Sequence, residues 1–199
     1  MTNVAVPRWW FFEFPGGAGL LPASEAQAWI DGVNFRLGVE GFQEAFCDHD
    51  LVIDGRLGPD TIDAVRVVRE RRGMLTANFH VGEWTCTHCG RVRANREAVR
   101  LAQRIRDRLG RSLGKDSTYR CEDHPLSRKN PSSHHIGGCA YDPAPDIPVA
   151  LARECGASGI GFAAADNSRC THFDVGHASR RNPEQRSGRP GKPQLFVDN

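Results

Sequence analysis

No stretch of the 199-residue chain approaches the roughly 20 consecutive apolar residues that a helix needs to cross a bilayer, so no membrane insertion is expected. A secretory leader pattern is lacking too. The N-terminal run Trp9-Trp10-Phe11-Phe12 is broken by Glu13 and followed by Pro15-Gly16-Gly17, with neither a basic start nor a small-residue cleavage site. Its expected role is an aromatic lid on the first domain, in a soluble chain not exported by a signal of its own. Charge of one sign is scarce: charged residues make up 25%, but the formal net charge is only +2, so global charge points to no partner. No internal repeat is visible. A hydrophobic content of 39% is enough for one ordinary domain or two small ones. Cysteine, by contrast, is plentiful. Seven is an odd number, so at least one thiol stays outside any intramolecular disulfide, and without an export signal the expectation is reduced thiols or metal ligands.

Two regions with different patterning follow one another. In residues 23–74 the spacing predicts helices around a turn. Ser24 is the expected cap of the first, with Gln27 at the capping-box position. Phe42, Ala45 and Phe46 share a face at helical spacing. The pairs Asp54-Gly55 and Gly58-Pro59 are strong turn signals, after which Asp60 or Thr61 is expected to open a helix burying Ile62, Val65 and Val68. This stretch, with Gln43 before it and Thr61 and Ala64-Val65 after the turns, resembles the three-helix peptidoglycan-binding domain. The resemblance implies affinity for the bacterial wall and no chemistry; which residues would touch the wall is not indicated.

Arg71-Arg72-Gly73 is expected to end the last of these helices. Beyond a short linker, residues 95–109 predict an amphipathic helix capped by Asn95 and stopped by Gly110. Ala98, Leu101, Ala102, Ile105 and Leu109 form its apolar stripe, while Arg96, Arg100, Arg104 and Arg108 form a basic face, read as a solvated one. Short strands are expected at 139–142 and 171–175, and the tail after His177 reads as irregular.

The chemistry-bearing residues fall in two clusters. His135 and Asp142 stand seven apart across Gly137-Gly138, so a bend must bring them together. His172 and Asp174 are two apart, which in a strand puts both on one face. Catalytic zinc takes three such ligands, keeps one position open for water, and lowers the pKa of that water to around 7. Ser133, His135, Gly138, Ala140 and Asp142 match the zinc signature Ser-x-His-x-x-Gly-x-Ala-x-Asp of the D-alanyl-D-alanine carboxypeptidase family. That family includes L-alanyl-D-glutamate endopeptidases of bacteriophages and shares its fold with hedgehog signalling domains. His172, Asp174, Val175 and Gly176 are similar to the His-x-Asp-Val-Gly ending of one branch; Gly159-Ile160-Gly161-Phe162, Tyr119-Arg120 and the segment 79–84 resemble its other landmarks.

The resemblance, running over residues 78–176, implies His135, Asp142 and His172 as Zn2+ ligands, Arg120 as the cation stabilising the oxyanion, and Ser133 as a hydrogen-bonding support for a ligand. Where many relatives carry a Glu three residues before the last His, this chain has Arg169, which accepts no proton. Asp174 is therefore the expected general base, its alternative role being to orient a ligand imidazole; Asp166 and His134 are further candidates. Thr118 replaces the family's Gly before Tyr-Arg.

Cys86-Thr87-His88-Cys89 is spaced like a zinc knuckle, and Cys121-Glu122-Asp123-His124 offers a second pair. Two readings stand: a closed structural zinc site of Cys86, Cys89, Cys121 and His124, or ordinary reduced thiols. Cys47, Cys139, Cys155 and Cys170 read as small core-filling residues.

The expected fold is α+β: a helical peptidoglycan-binding domain over 1–75, and a zinc peptidase domain over 76–199 with a central antiparallel sheet flanked by helices. The expected function is a monomeric zinc peptidase cutting the stem peptide or cross-link of peptidoglycan, as phage endolysins do, held in the host cytoplasm until lysis and then acting on the wall. A non-catalytic zinc-containing binding module of the hedgehog-like fold is the alternative. A nucleic-acid partner is not expected, given the near-neutral charge and the single Cys-x-x-Cys pair.

Overall fold

A buried glutamine organises the first part of the chain. In the computed structural model, which describes residues 21–163, 166–176 and 194–197, helices α1 (Ala23–Val33), α2 (Val39–Ala45) and α3 (Pro59–Glu70) pack together. Gln43 on α2 is 1% exposed. Its Nε2 donates to Asp54 Oδ1, the Arg56 carbonyl and Thr61 Oγ1 at 3.0, 3.0 and 3.1 Å. Its Oε1 accepts from the Asp54 and Gly55 amides at 3.1 and 2.9 Å. One amide side chain thus ties the Asp-Gly turn to the start of α3, and its own burial cost is met by a full set of partners. Pro59 stands at the first position of α3, where its missing N–H costs nothing. Phe42, Ala45, Phe46, Val65 and Val68 are buried, as their spacing predicts, whereas Ile62 is only half-buried against the core. Capping of α1 differs from expectation: Pro22 precedes the helix, its carbonyl accepts from the Glu25 and Ala26 amides, and Ser24 lies inside the first turn. Gln27 bonds Asp31 along the helix instead of closing a capping box.

Helix α4 (Arg96–Leu109) starts and stops where expected. Asn95 Oδ1 accepts from the Glu97 amide at 2.9 Å, and Gly110 closes the helix with φ 67°. The basic face is solvated only in its second half, where Arg104 and Arg108 are exposed and Arg108 pairs with Glu154; the first half is drawn inward. Arg96 is 4% exposed, and its Nη2 donates to the carbonyls of Gln43 and Leu51 at 2.9 and 3.1 Å, with Asp50 on Nη1. Arg100 donates twice to the Cys47 carbonyl, and Arg104 donates to the Cys155 carbonyl. The guanidinium fork, rich in donors, satisfies carbonyls near the ends of α2 and α6 and in the loop after α2. The whole face reads as solvated only if those carbonyls are invisible, as they are in a sequence. Buried residues from both parts of the chain, Ile30, Phe42 and Val65 together with Leu101, Tyr141 and Phe173, belong to one hydrophobic cluster.

The remaining elements are β1 (Lys115–Ser117), α5 (Pro125–Lys129), β2 (Ala140–Pro143), β3 (Ile147–Pro148), α6 (Val149–Glu154), β4 (Gly159–Ala163), β5 (Asp166–Asp174) and β6 (Gln194–Val197). The strands run in the order β1-β2-β5-β4-β6, with β3 pairing β5; the pairings are antiparallel except for β4 with β6. The short strand β6 corrects the reading of the tail as wholly irregular. The aromatic run Trp9 to Phe12 and the rest of the tail from His177 lie outside the described residues. Among those described, no helix is long and apolar enough to cross a membrane.

Register makes the sheet two-faced. Ala140 pairs Asp174 and Tyr141 pairs Phe173, so the next step sets Asp142 opposite His172. Tyr141 and Phe173 stack at 5.3 Å on the apolar face, where Phe79 and Trp84 pack edge-on to Tyr141. Asp142, His172 and Asp174 alternate onto the other face.

Replacing Gln43 with Leu keeps the volume but strips the Asp54-Gly55 turn of its partners. Each buried unpaired group costs about 1–3 kcal/mol, so urea unfolding is expected to show a loss of about 2–4 kcal/mol. A change within about 0.5 kcal/mol, the range of an ordinary surface substitution, would mean that the turn holds itself.

Candidate metal centre

Three side chains from two strands and a loop meet on the polar face. His135 sits in a 3-10 turn (His134–Gly137) leading into β2, Asp142 is on β2, and His172 is on β5. His135 Nε2 lies 3.0 Å from Asp142 Oδ1 and 3.1 Å from His172 Nδ1; His172 Nδ1 lies 2.8 Å from the same Oδ1. The edges of a tetrahedral zinc site with bonds of 2.0–2.1 Å are about 3.3 Å, so the three atoms fit around one ion with a modest outward relaxation.

The partners behind each ring decide which atoms carry lone pairs. His135 Nδ1 meets the Thr118 carbonyl, which can only accept, so the proton is on Nδ1 and Nε2 faces the cluster bare. His172 Nε2 donates to Asp174 Oδ2 at 3.1 Å, which leaves Nδ1 bare as well. Two imidazole lone pairs and a carboxylate oxygen therefore converge. Such an arrangement calls for a positive charge between the donors, either a proton or a metal ion. The electrostatics agree. Burial alone would depress His172, but Asp142 and Asp174 outweigh it and raise its pKa to about 9. Burial pushes His135 down. It would push Asp142 up, yet the closeness of both imidazoles, which favours a shared positive charge, holds that carboxyl well below the usual range.

The other expected site residues fall into place around this centre. Arg120 reaches it: Nη2 donates to Asp142 Oδ2 at 2.6 Å and Nε to Ser117 Oγ at 2.8 Å. Asp174 does not face the three ligand atoms. It touches the far nitrogen of His172, is 1% exposed, and also accepts from His134 Nδ1 at 2.8 Å and the Gly176 amide at 2.7 Å. Burial alone would raise its carboxyl, but His134 and His172 keep it well below the ordinary range. Gly159, opposite Asp174 in the sheet, makes room for this: a Cβ there would overlap the carboxylate. Ser133 precedes the 3-10 turn, but its side chain does not cap it, and none of the hydrogen bonds to the three ligands comes from its hydroxyl. The support expected from Ser133 comes instead from the Thr118 carbonyl, a main-chain group with no signature in the sequence. The side chain of Asp166 lies outside the described residues.

A second group, Cys86, Cys89 and Cys121, brings three sulfurs within 4.8 Å of one another, and both clusters could hold a metal ion. His124 stands nearby, its ring 6.2 Å from that of His88; its Nδ1 accepts from the Leu126 amide at 3.2 Å and caps α5, which leaves Nε2 uncommitted by that bond. The imidazole beside Cys121 is that of His88, whose Nδ1 is 3.4 Å from Sγ. Cys47, Cys139, Cys155 and Cys170 are buried and in no disulfide, as expected.

With Asp174 acting through His172, Asp174→Asn is expected to lower metal affinity about 10–100-fold, the usual effect of losing a ligand's hydrogen-bond partner. Competition against a chromophoric chelator measures it, and unchanged affinity would remove the orienting role. No family model, curated protein or solved structure matches the chain.

Proposed function

We propose that the chain is a zinc-dependent peptidase acting on peptidoglycan, with its helical part serving wall attachment and the sheet part carrying the reaction. The observation that supports this most is the convergence of two bare imidazole nitrogens and one carboxylate oxygen, with Asp142 and His172 each 18% exposed. A structural site is closed by four protein ligands, whereas a catalytic one takes three and keeps a position open for water; three converge here, two of them within reach of solvent. The match to the carboxypeptidase signature supplies the substrate class, and the Gln43-centred turn fits the three-helix wall-binding pattern.

His135, Asp142 and His172 would hold the zinc, which when bound polarises a scissile carbonyl and makes water acidic enough to attack near neutral pH. Arg120 fixes Asp142 through its non-ligating oxygen and places a full positive charge beside the point where an oxyanion forms. His134 is the group we assign to proton transfer. At 16% side-chain exposure it meets solvent better than Asp174, and its Nδ1 is oriented by that carboxylate. With the Nδ1 proton held by Asp174, the imidazole takes a proton at Nε2. Asp174 then positions both His134 and His172. The non-catalytic binding alternative is favoured by one feature, the engagement of Arg120 by Asp142.

The test is incubation of the protein with purified peptidoglycan, with and without a chelator, followed by mass analysis of the released stem peptides. Chelator-sensitive appearance of new peptide termini is expected, and His134→Ala is expected to lower the rate about 10²–10⁴-fold while zinc stays bound. Wall binding with no bond broken would favour the binding module.

A further inference from the structure

The Cys86 corner of the molecule has its own construction. Cys86, Tyr119 and Cys121 form a small buried cluster separate from the main core. So small an apolar group stabilises little, and corners of this kind are usually held by a covalent or metal cross-link. The chain here runs Cys86-Thr87-His88-Cys89-Gly90, with the Gly90 amide donating to the Cys86 carbonyl at 2.9 Å and Gly90 at φ 68°. That turn folds the two cysteines toward one point. The Cys121 amide donates to Cys86 Sγ at 3.2 Å. An amide donor on the sulfur suits a metal-bound thiolate, whose charge it spreads. Cys121 arrives from the far side of the chain, and His88 Nδ1 stands 3.4 Å from its sulfur. Sulfur and nitrogen ligands on one tetrahedral zinc lie about 3.6 Å apart, given bonds of about 2.3 and 2.0–2.1 Å.

We propose that Cys86, Cys89, Cys121 and His88 form a second, structural zinc site that clamps the 118–121 segment to the 86–89 turn. Three sulfurs and one imidazole select zinc over magnesium or calcium, which take oxygen. The segment so clamped is the one that carries the Thr118 carbonyl behind His135 and the Arg120 guanidinium on Asp142. The proposal concerns different ligands from the peptidase reading and stands whether or not that reading holds.

Metal analysis of the full chain, purified under reducing conditions, tests it. Two zinc ions per chain are expected, with one kept in His135→Ala/His172→Ala and one in Cys86→Ser/Cys121→Ser. Cobalt exchanged into the intact protein should show sulfur-to-cobalt charge-transfer absorption that survives the histidine double variant. A mercurial thiol reagent added to the unmutated protein should release one zinc equivalent, a readout that does not depend on the cysteine variant folding. A zinc content unaffected by thiol modification, no sulfur-cobalt absorption, or a Cys86–Cys121 disulfide in the reduced preparation would overturn the site. His88→Ala should loosen this equivalent in chelator competition and His124→Ala should not; the reverse result would overturn the place of His88.

Discussion

Two imidazole lone pairs and a carboxylate oxygen are held face to face on the polar side of the sheet, and much of the fold works to keep them there. Left alone, three electron-rich atoms about 3 Å apart repel, and burial strengthens the repulsion by lowering the local dielectric. The arrangement persists because every ring is anchored from behind. Thr118 holds His135, Asp174 holds His172, and Arg120 holds Asp142. Each anchor leaves the bare atom pointing inward. With Asp142 and Asp174 held as carboxylates, the anchored set favours a positive charge at the centre, either a proton on His172 or a metal ion.

The anchors depend in turn on sheet register. Pairing of β2 with β5 sets Asp142 opposite His172, and the same step stacks Tyr141 on Phe173 across the sheet. A one-residue slip would bury the carboxylates against Trp84 and turn the aromatic rings to the polar side. Packing of Phe79, Trp84 and Tyr141 thus protects the metal geometry without touching it. The arginines of α4 extend the same logic to the helical part. By filling carbonyls at Gln43, Cys47 and Leu51 they join α2 and the loop after it to the helix that supports the sheet.

Spacing alone brought His135 to Asp142 across a bend and put His172 and Asp174 on one strand face; it was the resemblance to the zinc signature that joined His135, Asp142 and His172 into one set. The termini of α4 and the Asp-Gly turn were legible in the sequence. What escaped was of three kinds. Main-chain partners such as the Thr118 carbonyl carry no residue signature. Direction escaped as well: strand alternation puts His172 and Asp174 on one face but does not say which imidazole nitrogen points where, and it is the Nε2 side that meets Asp174. Local bonding is also invisible in a sequence: His124 Nδ1 caps α5, while His88 Nδ1 stands beside the Cys121 sulfur.

Thr118, where the resembled family carries Gly, shows how the two clusters are joined. Its hydroxyl donates to the Glu83 carbonyl at 2.7 Å, and Lys115 Nζ donates to the same oxygen at 2.8 Å. Glu83 in turn closes a capping box with His80 at the start of the 3-10 turn Val81–Trp84, just ahead of Cys86. The segment 115–121 is therefore tied to 80–86 at both ends, by Lys115 and Thr118 on one side and by the Cys121 amide on Cys86 on the other. Between those ties stand the Thr118 carbonyl and the Arg120 guanidinium, the two groups that orient His135 and Asp142. A glycine at 118 could offer the same carbonyl but not the hydroxyl tie, so the cysteine corner and the threonine act on one problem: holding a short, mostly irregular segment still enough to aim two metal ligands.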